Sequence, residues 1–325
     1  MRRTLVTGST GLVGNNVCRL LLERGDHVRV LARSTSDPRP LAGLEIERFE
    51  GDIRNRDEVA RAVSGVERVI HCAAHIHLGW KERDFSQQVN VVGTRNVAEA
   101  ARQANAKLVH VSTVDALAIG HRDRPADEEM PPVGAIPCTY VVTKRAAEEV
   151  IDAEVARGLH ATIVNPGFML GPWDWKPSSG RMVIEVARRF TPVAPSGGCS
   201  VCDVRDVAAG ILSAAERGQA GRRYILAGEN LTYFDLWRRI ARMTGGRGPL
   251  VRLGPANGWL AGAVGDLAGQ ITGREPTINS AAIAMSSQYH YYSSDRARRE
   301  LGYSPRPADD AIRVAWDWLR QHHGW

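Results

Sequence analysis

A tyrosine and a lysine four residues apart carry the clearest chemical signal in the sequence. Tyr140 and Lys144 lie in the run YVVTK, and residues with this spacing share one face of a helix. A nearby ammonium depresses the pKa of a phenol, so that the phenol can give or take a proton near neutral pH. The spacing is common on ordinary helix faces, and its meaning depends on what stands around it.

Two hydroxyl side chains, Ser112 and Thr113, stand at the end of the β-like run Leu108–Ser112. If that strand ends near the phenol of Tyr140, one hydroxyl can hold a substrate oxygen beside it. Hydroxyls at strand ends also bond to the local backbone, which is the alternative interpretation of this pair.

The elements that position these residues alternate along the first half of the chain. Short β-like runs predict six strands at Thr4–Thr7, Val28–Ala32, Glu45–Phe49, Val69–Cys72, Leu108–Ser112 and Ala161–Val164. Amphipathic stretches predict helices at Val13–Arg24, Arg56–Val63, Phe85–Ala104 and Tyr140–Arg157. This alternation predicts an α/β fold, a Rossmann doubly wound parallel sheet with its ligand crevice at the carboxyl ends of the strands.

The regularity changes after Asn165. Residues 167–198 are rich in Gly, Pro and Trp and predict long loops around one helix. Helical patterns then return at Asp203–Arg217, Tyr233–Thr244, Asn257–Gln270 and Asp309–Gln321, with a further strand at Tyr224–Leu226. We therefore expect a Rossmann domain at 1–165, to which 201–227 return, and a smaller, mainly helical substrate-binding lobe built from 166–200 and 228–325.

The segment Gly8–Gly14, with the sequence GSTGLVG, follows the first predicted strand and opens the first predicted helix. Glycine allows a tight turn and a close approach of the backbone, and a helix N-terminus offers free N–H groups to a phosphate. In this context the motif predicts a dinucleotide site. The expected contacts come from Gly8, Thr10, Gly11, Leu12 and Val13.

The end of the second strand distinguishes between the two nicotinamide dinucleotides. An acid there binds the ribose hydroxyls of NAD, whereas a guanidinium pairs with the 2′-phosphate of NADP. The strand Val28–Ala32 is followed by Arg33 and Ser34, with Arg39 a little further on and no acid at the expected place. NADP is therefore predicted in preference to NAD, the alternative being an arginine that only covers the surface.

Asp52 and Ile53 follow the third predicted strand. The Asp52 carboxylate is expected to accept a hydrogen bond from the adenine amino group, and Ile53 is expected to pack on the adenine ring. An aspartate in this place can also cap the helix that starts at Arg56, and the two roles are compatible.

The run HCAAHIH at 71–77 has the residue types of a metal site. On a strand, His71, His75 and His77 would share one face, and Cys72 would lie on the other. No acid or further ligand stands nearby in the sequence, and the small pair Ala73-Ala74 suits the close approach of a cofactor. We therefore expect no metal, cofactor contacts from the alanine pair, and His75 and His77 at the mouth of the substrate site.

Composition limits the class of protein. The chain of 325 residues is 43% hydrophobic and 24% charged, and it has no apolar run long enough for a membrane span. Its net charge of +6 is spread over interleaved acids and bases, which favours a solvated surface over a nucleic-acid patch. The N-terminus leads directly into a strand pattern instead of a signal peptide, so we expect a cytoplasmic protein.

The five cysteines are scattered and predict no disulfide framework. Cys199 and Cys202 have redox or zinc spacing but lack a second ligand pair. A short strand that places them on opposite faces or ends is therefore expected.

Taken in order along the chain, the motifs are those of a known family. They are the glycine loop at 8–14, Asp52-Ile53, Ala73-Ala74, Asn90 within VNVVGT, Ser112-Thr113, Tyr140-x-x-x-Lys144 and the run NPGFMLGP from Asn165. The chain resembles the extended short-chain dehydrogenase/reductases over nearly its whole length. Within them it is most similar to the dihydroflavonol 4-reductase-like branch, which includes bacterial proteins called hopanoid-associated sugar epimerases.

The resemblance implies a catalytic set of Thr113, Tyr140 and Lys144. Tyr140 would be the general acid in reduction, and Thr113 would orient the substrate oxygen. Lys144 would lower the pKa of Tyr140 and bind the nicotinamide ribose. Further cofactor contacts are expected from Val111, Pro166, Gly167, Phe168 and Met169.

Two departures from similar sugar-nucleotide epimerases favour a reductase with exchangeable NADPH. An arginine that clamps the sugar-nucleotide pyrophosphate, shortly before Asp206, is replaced by the run Cys199–Cys202, which has no basic residue. The acid that holds NAD after the second strand is replaced by Arg33. The position after Ala73-Ala74 is often acidic and is His75 here, so that the choice of substrate stays open.

The preferred hypothesis is an NADPH-dependent carbonyl reductase, EC class 1.1.1, acting on an apolar or aromatic ketone or aldehyde. Substrate contacts are expected from Thr113, His75, Trp80 and Trp173, with Phe168, Met169 and Trp175 as further lining. Some of these tryptophans can instead fill the core or an oligomer contact, and a homodimer is left open. The alternatives are a nucleotide-sugar epimerase or dehydratase, a 3β-hydroxysteroid dehydrogenase-like enzyme, and a non-catalytic protein that senses the cofactor.

Overall fold

Seven parallel strands form the central sheet in the computed structural model, which describes residues 2–79, 81–272, 276 and 279–323. The strands are β1 (Arg3–Thr7), β2 (His27–Ala32), β3 (Glu47–Glu50), β4 (Arg68–His71), β5 (Lys107–Val111), β6 (Ala161–Pro166) and β10 (Arg223–Leu226). Their order across the sheet is β10-β6-β5-β4-β1-β2-β3. All six predicted strands of the first half are confirmed, with ends that differ by a residue or two.

Alternating side chains of the strands enter two hydrophobic cores, one on each face of the sheet. Val6 and Ile70 belong to one core, whereas their neighbours Leu5 and Val69 belong to the other. Successive residues of a strand point to opposite faces, and both faces are covered by helices. The predicted Rossmann α/β fold is therefore confirmed.

The helices include those predicted, close to their expected positions, and two that were not predicted, at Ser280–Ser286 and Asp295–Leu301. They are α1 (Leu12–Glu23), α2 (Arg56–Val63), α3 (Arg83–Gln87), α4 (Gly93–Gln103), α5 (Thr139–Ala156), α6 (Gly180–Arg188), α7 (Val204–Arg217), α8 (Tyr233–Thr244), α9 (Pro255–Thr272), α10 (Ser280–Ser286), α11 (Asp295–Leu301) and α12 (Ala308–His322). The predicted helix Phe85–Ala104 is interrupted by a π-helical turn at Gln88–Val92, and π turns often mark functional positions.

A second, four-stranded sheet lies beside the first. It contains β7 (Phe168–Leu170), β9 (Gly198–Asp203), β11 (Glu229–Thr232) and β13 (Tyr289–His290), with β9 in the middle. A two-stranded sheet pairs β8 (Val193–Ala194) with β12 (Val251–Arg252). The stretch predicted to hold only loops and one helix thus also contains β7 and β8, which are too short to show a periodic pattern.

The two cysteines with redox spacing lie in β9. Cys199 packs into the core of the second half of the chain, and Cys202 packs into a core of the central sheet. Both thiols are buried and free. The strand interpretation of this pair is therefore confirmed.

Among the described residues, no helix combines the length and the apolar character that crossing a bilayer requires.

Candidate active site

The sheet register brings the carboxyl ends of five strands to one edge. Thr7 lies beside His71 of β4 and beside Leu31 of β2. Val111 of β5 lies beside Val164 of β6. The segments that follow these ends carry most of the predicted site residues, so they converge on one crevice.

Glycine is required in the loop after β1 where backbone packs on backbone. Gly8 has a φ of +69°, and a Cβ atom there would lie 2.6 Å from the nitrogen of Ala73. A Cβ atom on Gly14 would lie 2.3 Å from the carbonyl oxygen of Gly8. On Gly11 it would lie 3.4 Å from the same oxygen, and Gly11 caps α1 without a side-chain hydrogen bond. Gly11 therefore leaves the N-terminus of α1 open to an anion.

Two buried hydroxyls at this edge have no hydrogen-bond partner among the described residues. They are Ser9 Oγ, in the glycine loop, and Ser112 Oγ, directly after β5. Buried polar atoms are normally satisfied, so each hydroxyl suits a polar ligand in the crevice. With the open N-terminus of α1, where Thr10, Leu12 and Val13 lie partly exposed, these groups fit a dinucleotide.

The predicted 2′-phosphate site contains an acid that the sequence analysis missed. Arg33 and Ser34 follow β2 and are exposed. Arg39, however, is paired with Asp37, its Nη2 atom lying 2.6 Å from Asp37 Oδ2. The guanidinium carbon of Arg39 also lies 5.5 Å from the ring centre of Trp175. Arg33 is therefore the more available cation of the two.

Asp52 is engaged by a neighbouring arginine. Its carboxylate forms a two-point ion pair with Arg54, whose Nη2 atom lies 2.7 Å from Asp52 Oδ2. The residue that caps α2 is Asn55, because its side chain accepts from the first-turn backbone. The interpretation of Asp52 as the helix cap was therefore wrong. Ile53 is buried in a core of the central sheet.

Asn90, in the π-helical turn, joins the segment after β4 to α5. Its Oδ1 atom accepts from the His75 backbone nitrogen at 2.7 Å, and its Nδ2 atom donates to the His75 carbonyl at 2.9 Å. The same Nδ2 atom lies 2.9 Å from Thr143 Oγ1. Asn90 thus fixes the chain beyond Ala73-Ala74 relative to the helix that carries Tyr140.

Lys144 lies at the base of the crevice with only 2% of its surface exposed. Its Nζ atom donates to the carbonyl oxygen of Val111 at 2.9 Å. Burial lowers the pKa of Lys144 to about 8, against the opposing charges of Glu148 and Cys72. The ammonium is therefore anchored to the end of β5.

Tyr140 is partly buried, and the Thr113 hydroxyl is one of the polar groups near its phenol. Burial raises the pKa of the Tyr140 phenol, and the carboxylate of Asp115 raises it further. This direction is opposite to the depression by Lys144 that the sequence predicted. The phenol is therefore a group that keeps its proton at neutral pH.

Asp115 and His290 are site residues that the sequence analysis missed. Thr113 Oγ1 accepts from the Asp115 backbone nitrogen at 3.3 Å, capping the 3₁₀ turn Val114–Ala116, and donates to Asp115 Oδ2 at 3.2 Å. Asp115 Oδ1 lies 2.9 Å from His290 Nδ1. The proximity of Asp115 to Thr113 in sequence was a usable signal, but nothing local could indicate His290.

The histidines at 71–77 do not share a strand face, because β4 ends at His71. His71 is fully buried, 2.7 Å from Thr7 Oγ1. The rings of His75 and His77 stack at 6.2 Å between centres, and Glu82 lies 3.1 Å from His75 and 3.8 Å from His77. An acid is thus nearby in space, but among the described residues no group of three ligands is arranged to hold a metal.

Trp173 packs inside an aromatic cluster. Its ring centre lies 3.2 Å from the guanidinium carbon of Arg19 and 6.0 Å from the ring of Trp318. Trp175 meets the same Trp318 ring edge-on at 5.1 Å. These contacts favour the core-filling alternative for both tryptophans. Trp80, the other predicted substrate tryptophan, lies outside the described residues.

The segment after β6 follows the path of the second sheet. Pro166 ends β6, and Phe168 and Met169 belong to β7, paired with β9. A Cβ atom on Gly167 would lie 2.6 Å from the carbonyl oxygen of Ser200. The segment is therefore held tightly against β9 as it leaves the crevice.

The wall beside Tyr140 is apolar. Tyr140 packs against a cluster that includes Ile136, Ala281 and Met285, and Cys138 Sγ lies 3.6 Å from Met285 Sδ. Two of these residues belong to α10, which closes this side of the site.

Known proteins are similar in sequence to this chain over most of its length. Residues 4–227 match the model of the NAD dependent epimerase/dehydratase family. The chain belongs to this family. It is 36% identical to "Sterol demethylase protein B" of Methylococcus capsulatus, over 98% of both chains. It is 34% identical to a "Putative dihydroflavonol 4-reductase" of Synechocystis sp., over 98% of this chain and 94% of the relative.

Solved structures show the same fold. The protein gox2253 matches with a TM-score of 0.87 and 38% identity, over 100% of this chain and 99% of that one. PA4631, described as a nucleoside-diphosphate-sugar epimerase from Pseudomonas aeruginosa, matches with a TM-score of 0.80 and 27% identity, over 99% and 98%. The resemblance to extended short-chain dehydrogenase/reductases is thereby confirmed, and the chain is an NAD(P)-dependent oxidoreductase of that type.

Proposed function

We propose that this chain is an NADPH-dependent carbonyl reductase that acts on apolar or aromatic ketones and aldehydes. The observation that carries the proposal is the position of the Tyr140 phenol. It lies near Thr113 and packs against an apolar cluster that contains Cys138, Val141 and Ala281. A proton donor in an apolar wall suits a substrate with one carbonyl and little other polarity.

Tyr140 is the proton donor in the proposed reduction. When bound, the nicotinamide cofactor supplies the hydride. Tyr140 gives its proton to the carbonyl oxygen, and its raised pKa keeps that proton in place at neutral pH. Thr113 donates to the same oxygen and orients it. Lys144 and Tyr140 would hold the nicotinamide ribose, with Lys144 fixed by the Val111 carbonyl.

The turn after β2 supports NADPH as the cofactor. Arg33 and Ser34 are exposed there, and a guanidinium matches the geometry of a phosphate better than any other cation does. Arg39 contributes less in this proposal, because Asp37 already holds its guanidinium.

Two features disfavour a sugar nucleotide as substrate. The strand β9 has no basic side chain, so the phosphates of a nucleotide sugar lack a partner there. The nearby Arg205 pairs with Asp203 at 2.6 Å. A reductase for small carbonyl compounds needs no such clamp.

A 3β-hydroxysteroid dehydrogenase-like activity is the second candidate. One relative bears the name "3-beta-hydroxysteroid dehydrogenase", from Mycolicibacterium neoaurum, and is 30% identical over 93% of this chain and 87% of its own. The apolar wall of Ile136, Ala281 and Met285 would suit a fused-ring substrate. This candidate shares the roles of Tyr140 and Lys144 and differs in substrate and direction.

A substrate panel separates these activities. Purified protein is incubated with aromatic ketones, aliphatic aldehydes, 3-ketosteroids and 3β-hydroxysteroids, with the matching form of NADP or NAD, and with UDP-sugars in parallel. We expect oxidation of NADPH with ketones or aldehydes and no change in the UDP-sugars. Turnover of 3β-hydroxysteroids with faster rates than any carbonyl would favour the second candidate, and conversion of UDP-sugars would overturn both.

A further inference from the structure

Asp115 and His290 form a buried pair of opposite charges beside the proposed proton donor. Asp115 Oδ1 lies 2.9 Å from His290 Nδ1, and only 7% of the surface of His290 is exposed. Asp115 lies on the turn after β5, and His290 belongs to β13, which pairs with β9. The pair therefore joins the central sheet to the second sheet at the active site.

The surroundings of His290 define its protonation. Its Nε2 atom lies 3.0 Å from the carbonyl oxygen of Met285. Its Nδ1 atom lies 2.9 Å from Asp115 Oδ1, which is an ion-pair distance, although the two atoms are not aligned for a hydrogen bond. A carbonyl oxygen beside one ring nitrogen and a carboxylate beside the other both favour the imidazole that carries hydrogen on both nitrogens. The contact with Asp115 accordingly raises the pKa of His290 against the opposing effect of burial.

Thr113 has one proton for two acceptors. In the structure its hydroxyl donates to Asp115 Oδ2 at 3.2 Å, whereas a hydroxyl usually approaches a free carboxylate to about 2.5–2.7 Å. The hydroxyl proton that Thr113 donates to Asp115 is the same proton that must be donated to the substrate oxygen. Without a neighbouring cation, the Asp115 carboxylate would hold the Thr113 hydrogen bond more strongly. It would also place negative charge near the substrate oxygen, on which negative charge develops during reduction.

We propose that His290 is a positioning residue for carbonyl reduction, because its charge neutralises Asp115 and frees the Thr113 hydroxyl for the substrate oxygen. This inference rests on the proposed function. In this role His290, in the second sheet, balances the charge of Asp115 without contacting the substrate.

The other titratable groups around Asp115 are mostly uncharged. They are neutral phenols and thiols whose pKa values are raised by burial: Tyr140, Cys138, Cys199, Tyr233 and Tyr292. The guanidinium of Arg145 donates to the carbonyls of Ala116 and Leu117. Loss of the imidazolium would therefore remove the cation that forms an ion pair with Asp115.

A double-mutant cycle tests this role. His290→Gln removes the charge and keeps a hydrogen-bond donor, so kcat for the best carbonyl substrate is expected to fall about tenfold or more, with KM changed less than about threefold. In the Asp115→Asn background, the same His290→Gln change is expected to alter kcat by less than about threefold. Equal losses in both backgrounds would overturn the proposal, because a purely structural residue gives additive effects. Thermal unfolding checks that all three variants are folded.

Imidazole ¹⁵N NMR tests the charge without any substrate. Both nitrogens of His290 are expected to be protonated at pH 7 in the wild-type chain, and the Asp115→Asn variant is expected to contain a neutral imidazole. The His290→Gln spectrum assigns the signal. A neutral His290 in the wild type would overturn the inference. Failure of the whole carbonyl panel would instead contradict the proposed function, so the two failures are distinguishable.

Discussion

The Nζ atom of Lys144 lies 2.9 Å from the carbonyl oxygen of Val111, which ties the catalytic helix to the end of the central strand β5. The lysine is buried, and its pKa is lowered to about 8 from an ordinary value of 10.5. The fold therefore holds a cation where burial disfavours it. We infer that Lys144 is present at this position because of its function and not because it stabilises the fold.

The free energy of unfolding should depend on pH because the charged form of Lys144 is buried. Because the pKa of Lys144 is lower in the folded chain, the unfolded chain binds more protons between about pH 8 and 10.5. The penalty is full below pH 8 and is relieved as pH rises through this window. The Lys144→Met variant should therefore be more stable than the wild type at pH 7, by about 1–2 kcal/mol after the loss of the Val111 hydrogen bond.

Urea unfolding at pH 7 and at pH 10 measures this effect. The advantage of Lys144→Met should shrink at the higher pH, although its activity is lost at both. A variant that is less stable than the wild type at pH 7 would show that the lysine stabilises the fold.

Two glycines of the loop at 8–14 should differ in role, Gly14 in packing and Gly11 in ligand binding. Gly14→Ala places a Cβ atom 2.3 Å from the Gly8 oxygen, and should lower the free energy of unfolding by about 2 kcal/mol or more. Gly11→Ala meets only an ordinary contact, but glycine is preferred to alanine at a helix N-cap, so the change should cost about 0.5–1 kcal/mol. It should still weaken NADPH binding, because its methyl group stands at the open N-terminus of α1. Denaturant unfolding and fluorescence titration would distinguish the two, and equal stability losses would contradict this division.

The two arginines after β2 should differ in their effect on cofactor choice. Arg33→Gln should raise the Kd for NADPH about tenfold and leave the Kd for NADH nearly unchanged, because only NADPH carries the 2′-phosphate. Arg39→Gln is the matched control and should have a smaller effect, since Asp37 holds Arg39. Tighter binding of NADH than of NADPH by the wild type would refute the NADP assignment.

Asn90 should be important for stability as well as activity. Asn90→Ala removes the side chain that bonds to both backbone groups of His75 and to Thr143. Buried groups left without partners make a loss of about 2–3 kcal/mol the expected result. Gln88→Ala, on the exposed side of the same turn, should change stability by less than about 0.5 kcal/mol. Similar losses for both variants in thermal unfolding would show that the turn itself, not the Asn90 network, matters.

The sequence was most informative where the pattern was local. The strands β1 to β6 are apolar runs between helical stretches, and the glycine loop has close packing that only its residue types allow. The short strands β7 and β8 left no periodic signal. They form because β9 and β12 are available as partners, which is a tertiary property.

The chemistry of the site was less predictable than its location. Spacing placed Tyr140 and Lys144 on one helix, but it could not show that Lys144 bonds to Val111 while Asp115 acts on Tyr140. Asp37 stands two residues before Arg39, but the sequence alone does not show that the two side chains form an ion pair. His290 comes from a distant part of the chain, and only the folded structure brings it to Asp115.

Transfer of deuterium is the most direct test of a carbonyl reduction that depends on Tyr140. The chain is incubated with NADPH deuterated at C4 and with apolar ketones and aldehydes, and the alcohols are analysed by mass spectrometry. Deuterium should appear on the carbinol carbon with the wild type. The Tyr140→Phe variant should be slower by about 10²–10⁴-fold, while its NADPH affinity falls by no more than about tenfold, as expected for one lost hydrogen bond to the ribose. Absence of transfer to every carbonyl compound, or an undiminished rate in Tyr140→Phe, would contradict the proposed function.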